Sequence, residues 1–553
     1  MRKRRSKEGV TVNAIAGTHV VTLGMDLDEA RRAKCLGFAI QREDHIEDER
    51  YWMTGMKAFR ETDPGLGPGG RASSREQPFQ GFQWADYSAK PGYDYTYTVI
   101  PLYGKPAALE EGPRVAVRVA TEPEVGGTHS VFFNRGSVAS QEYARRYLDT
   151  RPNKLPEEAK AGAYAWLSRG LLEALLAFVA RAGPDHGLRG AFYEFQWPDV
   201  LRALKAARAR GVDVKVVYDG IHGSTKRKNE AAIEACGVKG LCRPRTTGKL
   251  MHNKFLVLTR RDKPVAVWTG STNLTENGIF GHLNCGHIVE DEGVARQYLD
   301  YWEELATNPE LDEEKRWMAE HNPNPPEQWS SDMTAVFSPH AGNDILDWYR
   351  DIAAGAEQAL FMTFAFGMDG RFQDVYRRED DVLRIALMDK AGSGSGLAKG
   401  KRQIGAIRKR PNVLVAIGNR IATNSFDRWL AERGGLTSNV QWVHTKFMLV
   451  DPLSKRPTVV AGSANFSEPS TSTNNENMLV IRGDTRAADI YLGEYMRLYN
   501  HYAFRESVAR SRQRGEKDWR PQYLDSDWKS WQRDYFAPDH DRSLRRVYFA
   551  QSG

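Results

Sequence analysis

The chain is poor in cysteine, with four in 553 residues (Cys35, Cys236, Cys242 and Cys285) and no CxxC pair among them. That scarcity excludes a disulfide framework and a structural zinc site, and it fits a reducing compartment. Long uncharged apolar runs are also missing, and the mean hydropathy is -0.58, so no membrane-spanning helix is expected. The most apolar stretch, Leu171 to Ala180, is short, carries Glu173 and reads as a core helix. Met1 to Lys7 is basic, but Glu8 to Thr18 mixes Glu, Thr, Asn and Gly where a secretion signal would place an apolar segment. A cytoplasmic protein is therefore expected. No charge of one sign dominates: 78 Lys and Arg against 71 Asp and Glu leave +7. With 41% hydrophobic and 27% charged residues the composition is that of a folded globular chain, and a pI near 9.0 permits a polyanionic partner. The length points to about three or four domains.

Residues 1–125 read as an all-β sandwich. His19–Leu23, Gly37–Ile40, Tyr95–Ile100 and Val115–Val119 are β-branched, aromatic and partly alternating, with Gly and Pro between them, most densely over Asp63–Gly70. Pro91-Gly-Tyr-Asp-Tyr95 ahead of an alternating strand resembles the turn and tyrosine corner of a fibronectin type III domain. Such a unit offers a surface for a protein partner.

Beyond residue 130 the sequence repeats itself. Val131–Arg135 aligns with Val336–His340, Gly190–Phe195 with Ala359–Phe364, and Gly211–Asp219 with Asp381–Asp389. His252-Asn-Lys254 aligns with His444-Thr-Lys446, and Gly270-Ser-Thr-Asn273 with Gly462-Ser-Ala-Asn465. Strand, helix, strand in that order predicts βαβ crossovers and mixed sheets with helices on both faces. The expected fold is thus α/β: a duplicated α-β-α sandwich behind an all-β domain. Its copies are expected at 126–307 and 331–502, joined by a polar, Pro-rich linker at 308–330. An aromatic and basic C-terminal arm follows at 503–553, read as extended chain whose aromatics pack onto the domains.

Each copy places a histidine and a lysine two residues apart, hence on one face of a strand. A Gly-Ser turn beside them can offer a hydroxyl and backbone N–H groups to an oxyanion. Two such half-sites would surround one cavity with two imidazoles, two ammonium groups and two Ser/Asn pairs, which suits a phosphodiester. The lysines would neutralise its oxygens, while one imidazole attacks phosphorus and the other protonates the leaving oxygen.

The paired HxKx4D and GSxN motifs resemble the phospholipase D superfamily over residues 130 to 500. That resemblance implies metal-independent, two-step phosphodiester transfer through a phosphohistidine, with no cofactor and no metal. It implies catalytic roles for His252, Lys254, His444 and Lys446. Supporting or phosphate-binding roles fall to Ser271, Asn273, Asn284, Ser463, Asn465, Glu476 and the scaffold residue Asp451. The first copy departs from the pattern: Thr259 stands where the acidic residue belongs. Glu476 and Asn284 lie at equal offsets after Asn465 and Asn273. If each contacts the histidine of its own copy, Glu476 keeps His444 protonated as general acid and Asn284 leaves His252 neutral as nucleophile. His222, His282, His287 and His340 read as ordinary loop histidines.

Basic residues near both half-sites favour a nuclease acting on nucleic acid: Lys226, Lys228, Arg243, Arg245 and Lys249 in the first copy, and Lys399, Lys401, Arg402, Arg408, Lys409 and Arg410 in the second. Those of the second copy follow a Gly392–Gly396 glycine-serine loop. The alternative is a phospholipase D or phosphatidyltransferase working at a membrane surface, with Tyr193, Phe195, Trp197, Phe364 and Phe366 holding acyl chains. A third reading is a binding protein with a degenerate site, against which both intact His/Lys pairs argue.

Overall fold

The computed structural model describes residues 1–552 apart from 66–69, 149, 151, 324, 326–331, 393–395, 419–442 and 514–522. The glycine-serine loop, the Pro-rich end of the linker and Trp519 therefore lie wholly or largely outside the described residues.

Residues 1–120 form two antiparallel sheets. Arg2–Lys7, Val10–Ala16, Val21–Leu27 and Gln83–Asp86 make the first; Ala108–Glu111, Asp94–Lys105, Cys35–Asp44, Glu49–Trp52 and Val115–Ala120 make the second. Alternation buries one side of each strand, so Val12 and Leu23 meet Phe38, Tyr97 and Val117 in one core. The Tyr95 hydroxyl accepts a hydrogen bond from the Lys90 N–H (2.9 Å), a local contact that ties the strand start to the turn before it. The basic N-terminus, read only as charge, is itself an edge strand paired to Val10–Ala16.

The repeated region forms two sheets with one strand order. In the first, the order is His129–Phe133, Cys285–Val289, Lys263–Gly270, Lys254–Arg260, His186–Phe192, Asp213–Asp219, Cys242–Arg245. In the second it is Met333–Ser338, Asn474–Arg482, Thr458–Gly462, Phe447–Val450, Ala359–Phe364, Leu383–Met388, Val413–Ile417. The last three strands of each run parallel, joined by crossover helices such as Pro198–Ala209, Gly223–Cys236 and Leu397–Ile407.

Helices cover both faces. Outer helices, Leu171–Ala180 among them, bury Leu175 and Phe178 against the first sheet. Between the sheets, helices Glu292–Thr307 and Thr485–Gln513 fill a shared core with Tyr298, Tyr301, Tyr491 and Tyr495. Strand pairing corrects two alignments between the copies. Phe133 rather than Phe132 is the counterpart of Phe337, a shift of one. Phe192 rather than Phe195 is the counterpart of Phe364, a shift of three, because Phe192 pairs with Tyr218 as Phe364 pairs with Met388.

Two segments read as unstructured are helical. The linker contains helix Leu311–His321, whose Met318 enters the shared core. In the C-terminal arm, helices Trp528–Gln532 and Asp541–Ala550 replace the expected extended chain. Trp531 stacks on Phe82 of the sandwich (5.5 Å) and donates its indole N–H to the Cys35 carbonyl (2.9 Å). Tyr548 and Phe549 enter the core shared by the two sheets. The arm thus fastens the β-sandwich to the second sheet. Helix Thr485–Gln513 runs unbroken through residue 502, where the second copy was expected to end. Among the described residues no single helix is long and apolar enough to cross a membrane.

Candidate active site

The two copies exchange short strands where they meet. Leu250–Met251 of the first pairs with Asn474–Asn475 of the second, and Val443 of the second bridges to Leu283 of the first. The exchange carries each motif histidine into the other half: His252 N–H donates to Asn475 O (2.9 Å) and His444 N–H to Leu283 O (3.2 Å). A buried aspartate at the end of a parallel strand supports each crossing segment. Asp219 accepts from Met251 N–H (3.4 Å) and Asp389 from Val443 N–H (3.0 Å). Neither aspartate was read as functional, although both aligned copies end on one.

The imidazoles of His252 and His444 face each other with ring centres 6.3 Å apart, space for a tetrahedral phosphoryl group between them. Their partners are crossed. His252 Nδ1–H donates to Glu476 Oε2 (2.8 Å), and His444 Nδ1–H donates to Asn284 Oδ1 (2.9 Å). This corrects the expectation that Glu476 serves His444 and Asn284 serves His252; the strand exchange swaps them. Each acceptor is fixed in turn by the serine of a GSxN motif. Ser463 Oγ–H donates to Glu476 (2.7 Å) and Ser271 Oγ–H to Asn284 (2.8 Å). Asn284 gives its amide N–H to Gly278 O (2.7 Å), which leaves its oxygen as the acceptor for His444. Both rings therefore hold the proton on Nδ1 and keep a free Nε2.

The motif serines are thus committed to holding these partners rather than offered to an oxyanion. Their backbone N–H groups are used as well, Ser271 to Cys285 O (3.0 Å) and Ser463 to Asn477 O (2.8 Å). This close approach explains the glycines. A Cβ at Gly270 would lie 2.3 Å from Cys285 O, and one at Gly462 2.2 Å from Asn477 O. Asn273 and Asn465 each keep a buried amide oxygen without a partner, so these amides can turn toward a ligand.

Lys254 and Lys446 are buried beside the rings, each ammonium donating to the carbonyl of its own histidine. Burial lowers Lys254 to about 8, against the pull of Glu476, Glu194 and Asp219. Burial and neighbouring Lys254 push Lys446 well below the ordinary lysine value. Burial likewise brings His252 down to about 4 although Glu476 raises it, and drives His444 well below the usual range, helped by Lys446. Burial thus favours the neutral imidazole at both positions.

Asp451 sits at the other end of its strand, where its carboxylate accepts from the N–H groups of Glu357, Gln358 and Ala359 (2.9, 2.7 and 2.8 Å). It is a scaffold residue. At the Thr259 end of the first copy the charges are reversed, with Asp185 in the loop facing Arg260 and Arg261.

His282, read as a loop residue, stands in the site with its ring 5.9 Å from that of His444. Tyr193 packs on the other side, 5.2 Å from His252. His287 instead pairs with His129 (3.0 Å). Among the described residues no three His, Cys, Asp or Glu side chains form a metal-holding group.

The basic candidates divide. Arg243, Lys249, Lys399, Lys401 and Arg402 are exposed. Arg245 is fully buried, paired with Glu314 (2.6 Å) and donating to Asn475 (3.0 Å), so it cannot reach a nucleic acid. Arg408 is bound to Glu506 and Arg410 to Glu379.

Residues 180–306 and 414–498 match the family described as cardiolipin synthase, PLD-like domain. The mitochondrial cardiolipin hydrolase of Canis lupus familiaris is 30% identical over 160 residues, which is 28% of this chain and 58% of that protein. The chain thus spans less than two thirds of that relative's length. The solved phosphatidylserine synthase of Haemophilus influenzae Rd KW20 aligns with a TM-score of 0.41 at 11% identity, covering 62% of this chain and 91% of that one. Nuc of Salmonella typhimurium, a phospholipase D family member, aligns with a TM-score of 0.23 at 28% identity, covering 25% and 87%. With its paired HxK and GSxN motifs brought to one place, the chain carries a PLD-like domain and is similar to members of the phospholipase D superfamily.

Proposed function

We propose that the chain is a metal-independent phosphodiesterase that works through a phosphohistidine on His252. The observation that carries this reading is the pair of facing imidazoles, each pinned through Nδ1 with Nε2 free. A diester anion held by Lys254 and Lys446 offsets their charge and lets His444 take up a proton. His252 Nε2 then attacks phosphorus, forming P–N as the bond to the leaving oxygen breaks, and His444 gives that oxygen its proton. In the second step His444 removes a proton from water, whose oxygen attacks phosphorus while P–N breaks. The products are a phosphomonoester, the freed alcohol and a regenerated His252. The lysines supply the positive charge a divalent ion would bring. Hydrolysis of bis-p-nitrophenyl phosphate is therefore expected to persist in excess EDTA. Loss in EDTA with recovery on adding magnesium would overturn this mechanism.

For the substrate, counterpart helices support a nucleic acid. Gly223–Cys236 and Leu397–Ile407 each follow the strand ending in Asp219 or Asp389, and each bears exposed basic residues: Arg227 and Lys228 on one, Lys399, Lys401 and Arg402 on the other. They provide phosphate contacts along a backbone running across the site. Replacing Lys399, Lys401 and Arg402 by Gln should weaken DNA binding and reduce the slope of log K against log salt by about 0.9 per lost contact. Turnover of bis-p-nitrophenyl phosphate should remain. Unchanged DNA affinity would remove the case for a nuclease.

The phospholipid reading has its own support, since Phe366 and Leu397 are exposed apolar side chains among the same cations, with Lys390 over the Phe366 ring. Side-by-side assays on DNA, RNA and cardiolipin vesicles separate the two substrates.

A further inference from the structure

The strand Arg2–Lys7, with the sequence Arg-Lys-Arg-Arg-Ser-Lys, forms one edge of the first sheet of the β-sandwich and has no part in the scheme above. Its first cation is used inside the structure. Arg2 donates to Asp489 Oδ1 (2.7 Å) and to the carbonyls of Pro452, Leu453 and Ser454 (2.5, 2.7 and 3.1 Å). The strand is therefore seated on the second copy as well as on its neighbour Val10–Ala16. The other four cations, Lys3, Arg4, Arg5 and Lys7, are exposed. Lys3, Arg5 and Lys7 pair across from Ala14, Val12 and Val10, so they share one side of the strand about 7 Å apart, and Arg4 lies on the other. Among the described residues no ion pair holds Lys3, Arg4 or Arg5. Lys7 has Glu8 at 3.6 Å, an exposed carboxylate shared with Arg31 (3.7 Å). Exposed arginines elsewhere, such as Arg146, Arg181, Arg202 and Arg260, each face a carboxylate.

Charged side chains on an edge strand guard it against pairing with another chain. That role explains charge on the edge. It does not call for four cations in five positions, where like charges repel one another and a counter-charge relieves them. We propose that this strand is a polyanion-binding surface outside the catalytic copies, and that its partner is the phosphate backbone of a nucleic acid. The surroundings favour that partner over a bilayer or a peptide. A bilayer or an added strand would also engage apolar side chains. Between Arg2 and Asp44 no large hydrophobic side chain is exposed among the described residues. A phosphate backbone asks for charge alone, and a row of about 14 Å meets it over about four base-pair steps. The sheet and Arg2 already hold the row in place, so binding does not have to order it. The inference goes beyond the catalytic reading and holds whichever diester the site cleaves.

The test measures binding of a DNA duplex as a function of salt, with His252→Asn in every chain so that the DNA is not cut. Combining Lys3→Gln, Arg4→Gln, Arg5→Gln and Lys7→Gln should lower the slope of log K against log salt by about 0.9 for each cation that meets a phosphate. Affinity at about 0.1 M salt should fall about tenfold or more. Exchanging the same residues as Lys3→Arg, Arg4→Lys, Arg5→Lys and Lys7→Arg should keep both values. Arg4→Gln with Arg5→Gln serves if the fourfold glutamine chain does not fold. Changing Arg146, Arg181, Arg202 and Arg260 to Gln removes the same net charge from paired positions and should leave the slope as it was. An unchanged slope in the first chain would overturn the inference, and self-association of that chain on gel filtration would then mark the strand as an edge guard alone. Equal losses in the two fourfold glutamine chains would trace the effect to net charge and overturn it as well. So would lost binding to phosphatidylglycerol vesicles with DNA binding intact, which would assign the surface to a membrane. Failure of the intact chain to cleave DNA would overturn the nuclease reading and leave this one standing on its binding data.

Discussion

His444→Asn, given a diester with a good leaving group, is expected to accumulate a covalent phosphoryl adduct on His252, whereas His252→Asn accumulates none. The leaving group departs without an acid, so the first step proceeds in His444→Asn. The second stalls because nothing activates water. Loss of the general acid and base should lower turnover of a substrate with a poor leaving group by roughly 10²–10⁴-fold. Loss of the nucleophile should cost about 10⁴-fold or more. The crossed partners invert the argument that a carboxylate neighbour marks the acid, and the assignment rests instead on the charge that develops on the attacking ring. Glu476 fixes the Nδ1–H form of His252 and stabilises the positive charge that develops when Nε2 attacks. His444, whose acceptor at Nδ1 is the neutral Asn284, is better placed to give up a proton. Peptide mapping by mass spectrometry decides the matter, and an adduct on His444 in the intact enzyme would reverse the roles.

Arg245→Ala is expected to destabilise the fold by about 3–5 kcal/mol with no specific effect on polyanion binding. Removing one partner of a buried ion pair leaves an uncompensated charge. Here it also takes the donor from the Asn475 amide oxygen and leaves Glu314 the Asn475 amide N–H in place of a guanidinium, in the segment that carries the backbone of His252. Burial already raises Glu314 to about 7 despite Arg245. Without the guanidinium that carboxyl must bind a proton to stay buried. The loss should therefore be greater at pH 8 than at pH 6, because proton uptake becomes harder as pH rises. Urea unfolding of Arg245→Ala, with the exposed Arg243→Ala as control, measures the difference. Unchanged stability combined with weakened DNA binding would return Arg245 to the binding surface.

The motifs, the duplication and the order of strands were legible because each is local. HxK and GSxN are short strings, and the periodicity of the strands repeats with them. What the sequence could not show is which half supplies each contact. Glu476 lies closer along the chain to His444, and a spacing rule assigns it there. Only the exchange of Leu250–Met251 and Val443 between the copies moves it to His252. Arg245 failed as a binding candidate for a related reason. Its charge is readable, but its ion pair comes from helix Leu311–His321, inside a stretch read as linker. The shifts of one and three residues between the copies arose because matched phenylalanines outweighed hydrogen-bond register, which no single strand reveals. The aromatics of the C-terminal arm announced packing, and their helices remained hidden between many charged residues.

The strand exchange also bears on how this chain can change over generations. His252 answers to Glu476, 224 positions away, and His444 to Asn284, 160 positions away. A substitution that alters one acceptor is felt by the imidazole of the opposite copy, so the two copies cannot drift apart as independent genes would. Paired substitutions in related chains should link 252 with 476 and 444 with 284 rather than neighbours within a copy. A chimera that replaced one whole copy by that of a distant relative would inherit a mismatched acceptor at both rings, even though every motif in it was intact.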